Sequence, residues 1–150
     1  MPIGQNQFQF PATPLKSKYF SEAGDSEVVK WDVIPVDDGE KITIVFESVS
    51  SPFRQGIWLR CDEGIEIDGV VYPQATLWAD TAPPQTKFIC RSKEGRLHVY
   101  NVWDEGRGRE SQTWKSGMRI EMIDDGYRYH CTDAGREINF NTLVFTLTRG

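Results

Sequence analysis

An antiparallel all-β fold is what the sequence predicts, on three observations. Helical periodicity is nearly absent. Short runs that alternate β-branched or aromatic residues with polar ones recur every eight to twelve residues or so. Asp-Gly pairs fall between such runs, where tight hairpins need residues at positive φ. The architecture expected is a β-sandwich of jelly-roll type, with about ten short strands and little or no helix.

Taken in order, residues 1–16 carry Pro2, Pro11 and Pro14 and read as an extended N-terminal arm laid along a sheet edge, with one strand-like stretch at Phe8-Gln9-Phe10. Residues 17–150 are expected to form a single domain, because no repeat or low-complexity block divides them. Strands are expected at 28–36, 41–50, 56–61, 65–67, 70–72, 75–78, 86–92, 96–103, 117–123, 127–132 and 142–148. Asp68-Gly69 makes a two-residue hairpin between Ile65-Glu66-Ile67 and Val70-Val71-Tyr72. Asp125-Gly126, taken as a second such loop, pairs Met122 with Tyr129 and Ile120 with Cys131, and sets Glu121 facing His130. Glu94-Gly95 as a third turn pairs Cys90 with Val99 and Arg91 with His98. One strand face then carries Phe88, Val99, Ile120, Met122, Tyr129, Cys131, Leu143, Phe145 and Leu147, and the opposite face carries His98, Tyr100, Arg119, Glu121, Arg128 and His130.

Composition excludes several functions. Seventeen Lys and Arg against 22 Asp and Glu give a net charge of −5, which supplies little of the phosphate-driven affinity for nucleic acid. No run approaches the roughly 18 apolar residues of a membrane-spanning helix. Cys61, Cys90 and Cys131 are odd in number and far apart, so a disulfide framework is not expected. The first residues lack the basic head and apolar run of a secretory signal, which points to a cytoplasmic setting.

Two residue sets can carry function. The longest connection, 104–116, holds Asp104, Arg107, Arg109 and Trp114, polar groups that can hydrogen-bond a ligand beside a ring that can stack on it. Alternation places Trp58 and Tyr100 opposite their apolar neighbours, where they add stacking surface for a sugar or an anchor for a protein. The second set is His98, His130 and Glu121, which would make a two-His-one-carboxylate metal or acid-base site if their strands are close. The structural alternative makes His130 and Glu121 a cross-strand polar pair. Each cysteine falls at an inward parity position, and Cys131 and His130, adjacent on one strand, point to opposite faces and cannot form a dyad. Glu47, Glu66 and Glu121 are the strand-borne carboxylates. The acidic clusters at Asp37-Asp38-Gly39, Asp104-Glu105-Gly106 and Asp124-Asp125-Gly126 read as turns rather than as calcium loops.

The function expected is therefore a non-enzymatic binding module for a glycan or a protein, using Trp58, Tyr100, Asp104, Arg107, Arg109 and Trp114, with no cofactor and no metal. A small β-fold enzyme built on His98, His130 and Glu121 is the first alternative. A structural subunit that pairs a sheet edge with its own copy, as a homodimer, is the second.

Overall fold

The computed structural model describes residues 9–135 and 137–150. Residues 1–8 of the expected 1–16 arm lie outside them, Phe8 of the strand-like stretch included; Gln9 and Phe10 are described and belong to no strand. Eleven strands and one helix follow in the order β1 (Leu15–Lys16), α1 (Lys18–Glu22), β2 (Val29–Pro35), β3 (Lys41–Val49), β4 (Arg54–Ile67), β5 (Val70–Trp78), β6 (Thr86–Arg91), β7 (Arg96–Asp104), β8 (Arg109–Glu110), β9 (Gly117–Ile123), β10 (Gly126–Thr132) and β11 (Leu143–Arg149). The five-residue α1 starts where the buried Ser17 hydroxyl accepts the Phe20 amide and so caps the first turn. No helix among the described residues is long and apolar enough to cross a membrane.

All strand pairs are antiparallel. The pairing runs β2-β9-β10-β11-β3-β6-β4-β7 and returns to β2, a closed ring of eight strands. This corrects the expected sandwich of jelly-roll type: the ring closes on itself instead of leaving two sheets face to face, with β1, β5 and β8 paired outside it.

Long strands that change partner part-way make the closure possible. β4 runs unbroken over 14 residues where two short strands were expected. It pairs through Arg54–Arg60 with β7 and through 64–66 with β6, while β5 pairs along both segments. Because β5 holds the other edge of β4, β6 and β7 lie end to end along one edge, and the expected β6–β7 hairpin at Glu94-Gly95 does not form. Cys90 stands opposite Ile65, and Val99 lies between Leu59 and Asp32. The residues between the two strands form a corner pinned by Asp62. Its carboxylate accepts the Ser92 hydroxyl at 2.6 Å and the Lys93 amide at 3.0 Å. Burial pushes the Asp62 pKa up, but those donors outweigh it and hold the carboxyl below its ordinary value.

The Asp68-Gly69 hairpin forms as expected, with Ile67 opposite Val70 and Asp68 and Gly69 at φ 51° and 80°. The β9–β10 hairpin forms in a different register. Ile123 stands opposite Gly126, so Asp124 and Asp125 are the loop, Met122 faces Tyr127, Ile120 faces Tyr129 and His130 faces Arg119. The shift keeps the inside-outside parity, which is why the hydrophobic pattern did not distinguish the two registers. Met122, expected inside, is exposed.

Inside the ring, Ile34, Ile42, Ile44, Ile57, Leu59, Leu97, Val99, Phe145 and Leu147 are buried in one core. Tyr129 stacks on Phe145 at 4.6 Å and donates its hydroxyl to buried Asp32 at 2.6 Å. Burial raises the pKa of both groups, so this is a carboxyl and a phenol sharing a short bond in an apolar interior.

Candidate functional site

The outer face of β2, β7, β4 and β5 carries the aromatic residues singled out above. Register sets Val33, His98, Arg60 and Gln74 in one row across the four strands, and Tyr100, Trp58 and Thr76 in the next. Trp31, two residues before Val33, shares that face. Trp58 and Tyr100 stack at 4.5 Å, and Trp31 meets Trp58 edge-on at 5.3 Å. The Trp58 indole donates to the Gln74 side-chain oxygen at 3.1 Å. These rings are not an open platform: Trp58 is 4% and Tyr100 7% exposed. Their flat faces are used on each other, which corrects the expectation of surface-facing rings at these two positions. They form a second apolar layer outside the barrel.

His98 belongs to this layer. The Trp31 indole N–H donates to His98 Nδ1 at 3.0 Å, so the neutral ring carries its proton on Nε2, a buried atom with no hydrogen-bond partner among the described residues. Burial, helped by the Arg60 and Arg96 charges, pulls the His98 pKa down to about 4. Phe10 lies over it, with its ring 5.6 Å from His98 and the Arg60 guanidinium 3.7 Å from the Phe10 centroid.

The connection 104–116 is more ordered than its length implies. β8 folds back on the end of β7, pairing Arg109 with Asp104. Asp104 Oδ1 accepts the Gly106 amide at 2.7 Å and the Gly108 amide at 3.1 Å, and these bonds, the Gly106 bond first, lower its pKa. Arg107 pairs with Glu105 at 3.1 Å, and Arg109 crosses to the Thr76 hydroxyl at 3.1 Å, beside the aromatic layer. Trp114 lies apart from that layer, 60% exposed, its ring against Tyr19 at 5.9 Å. The structure thus gathers Trp58, Tyr100 and Arg109, keeps Asp104 and Arg107 within the loop, and sends Trp114 elsewhere. Trp114→Ala is expected to change unfolding stability by no more than about 1 kcal/mol in denaturant titration, as for an exposed side chain.

The structure does not bring the two histidines together around a shared carboxylate. His130 Nε2 contacts Glu121 at 2.9 Å on the β9–β10 surface, where Arg128 also pairs with Glu121 at 3.2 Å and with Glu47 at 2.7 Å. His98 sits under Phe10 against Trp31. Among the described residues, no group of three or more His, Cys, Asp or Glu side chains is placed to hold a metal ion. Glu66 is engaged by Arg91 at 2.8 Å. All three cysteines are free and buried, and burial pushes the Cys131 thiol well up.

Sequence reasoning passed over β5. Read as two short strands flanking Pro73-Gln74, it is one nine-residue strand lying outside the ring and paired, among the described residues, with β4 alone. Its first residues are apolar and open: Val70 is 51%, Val71 49% and Tyr72 44% exposed. Clefts flank the hairpin tip. One of about 440 Å³ is lined by Ile67, Leu77, Trp78, Pro83 and Lys87, and one of about 500 Å³ by Lys41, Thr43, Glu66, Lys87 and Phe88. The available signal was the absence of any charge from Val70 to Trp78 in a chain that is 26% charged.

Comparison with known proteins returned no matching family model, no similar curated protein and no similar solved structure.

Proposed function

We propose that this protein is a non-enzymatic protein-binding module that seats an extended strand on the free edge of β5. A single observation carries the reading: in an otherwise closed ring, β5 is a long strand with one edge unpaired among the described residues and three exposed apolar side chains in succession. Such an edge offers main-chain donors and acceptors for affinity and side-chain surface for selectivity. Protein is favoured over glycan because Trp58 and Tyr100, the rings that would stack on a sugar, are buried against each other. A binding role is favoured over catalysis because the buried ionisable groups Asp32 and His98 are tied to Tyr129 and Trp31 within packed layers.

The test is a titration of the isotope-labelled protein with a synthetic octapeptide of alternating Thr and Val, read by backbone amide NMR shifts. Perturbation confined to β5 and its flanking clefts is the expected result. No change along β5 at millimolar peptide would overturn the reading, and shifts centred on Trp114 with an oligosaccharide probe would return it to glycan binding.

A further inference from the structure

We infer that the strand seated on β5 is β5 of a second copy of this chain, paired antiparallel across a two-fold axis. The inference rests on the edge reading above and names its occupant.

In a two-fold contact each residue faces the one equally far on the other side of the axis, so a charge near the axis meets its like and one further out meets whatever stands at the mirrored position. Edge strands usually carry such charges, which keep copies apart. β5 carries none over the nine residues of Val70–Trp78, which makes it compatible with its own copy in a way that a strand bearing Lys or Glu is not. Among the described residues, the other strands that pair with only one neighbour, β1 and β8, are two residues each, and the stretches of β3 and β9 that lie beyond their β6 and β2 pairings carry charge, Glu47 on the first and Arg119 and Glu121 on the second.

Flanking charges select the register. Asp68 precedes β5 and Asp80 follows it. A two-fold centred on Gln74 would set Asp68 against Asp80 of the second copy and bring like charges together at both ends. Centring it on Tyr72 sets Asp68 against Thr76 of the second copy and Val70 against Gln74, and leaves both Asp80 residues outside the pairing. This register also covers the exposed Val70, Val71 and Tyr72 of both copies at once. Pro73, which cannot donate a ladder bond, falls in the gap already present in the β4–β5 pairing between Tyr72↔Ile65 and Gln74↔Arg60.

Sedimentation velocity on the intact protein, from low micromolar to submillimolar concentration, tests the inference together with a cross-link. The expected result is a concentration-dependent dimer that Val71→Lys weakens by about tenfold or more, with the melting temperature unchanged at dilutions where both proteins are monomers. Oxidised glutathione should convert Tyr72→Cys into a disulfide-linked dimer while leaving Thr76→Cys and the wild type, whose cysteines are buried, as monomers on non-reducing gels. A wild type that stays monomeric throughout overturns the self-pairing. So does a dimer that survives Val71→Lys, or one that Tyr72→Cys fails to link. The octapeptide titration separates the two levels: a monomer whose β5 still responds to the peptide keeps the edge as a site for another protein, whereas a monomer with a silent β5 loses both readings.

Discussion

Gly126→Ala is expected to destabilise the protein by about 3 kcal/mol or more, a fall of roughly 6–12 °C in melting temperature for a chain of this size. Gly126 opens β10 opposite Thr148 of β11. A Cβ there would overlap the Leu147 carbonyl oxygen and lie 2.8 Å from the Thr148 Cα, both backbone atoms held by the ladder. Neither can give way without moving β11, which also pairs with β3 in the ring. The glycine is therefore required for close strand approach, and the positive φ of this turn falls on Asp125 at 61°. Gly69→Ala is the contrast. Gly69 has φ +80° and open space around its missing Cβ, so the substitution should cost only about 1 kcal/mol of backbone strain. Thermal unfolding of the two variants side by side checks the ranking, and equal losses would contradict it.

Acidification is expected to remove about 3 kcal/mol of stability through His98 alone. The ring titrates near 6.5 when unfolded and near 4 in the native layer, so over that interval the unfolded chain binds the extra proton. Stability is complete above pH 6.5, declines as pH falls toward 4, and loses nothing further from this group below that. Asp32 works in the opposite sense: burial raises its pKa, so its contribution grows as pH falls. Carboxyls held low by their partners, among them Asp25, Asp62 and Glu121, lose their contribution only below the usual carboxylate range. Denaturant unfolding as a function of pH for the wild type and His98→Asn separates these terms. Asparagine retains an acceptor for the Trp31 indole and removes the titration, so the difference between the two curves should fall mainly between pH 6.5 and 4. Parallel curves would show that His98 protonates without disturbing the fold.

Strand positions were legible in the sequence because alternation and turn residues are local. β9 was expected at 117–123 and is found at Gly117–Ile123, and the Asp68-Gly69 hairpin took its expected register. Ring closure was not legible, since it depends on which strands share β4. The partner switch at residues 60–64 is set by Asp62 gripping the Ser92–Glu94 corner, a contact across about 30 positions of sequence. The same corner made Glu94-Gly95 look like a hairpin, because Gly95 does take positive φ, at 77°, while its chain continues forward.

At the candidate site, parity placed Trp58, Tyr100 and His98 on the face away from the barrel core, and the structure shows them sharing a face through Tyr100↔Trp58 and His98↔Arg60. Their burial was hidden because the covering groups, Phe10 and Trp31 among them, come from the arm and from β2. The β5 edge was hidden for a different reason. β5 was expected as two strands, 70–72 and 75–78, whereas Pro73 sits in a gap of the ladder and one strand runs through it.

Closure of the ring also sets the order in which the protein can be made. Ile42 of β3 pairs with Arg149 of β11, about 100 positions later, and Val29 of β2 with Met118 of β9. Pairings this distant fold slowly, on a scale of roughly milliseconds to seconds, because the intervening chain must be confined before any contact forms. At about 5–20 residues added per second, one edge of β3 waits roughly 5–20 s on the ribosome for its β11 neighbour. During that interval the apolar Ile42 and Ile44 are exposed to capture by other nascent chains. Slower translation should lengthen the exposure, and a chaperone that shields β3 until β11 emerges should raise the yield of native protein.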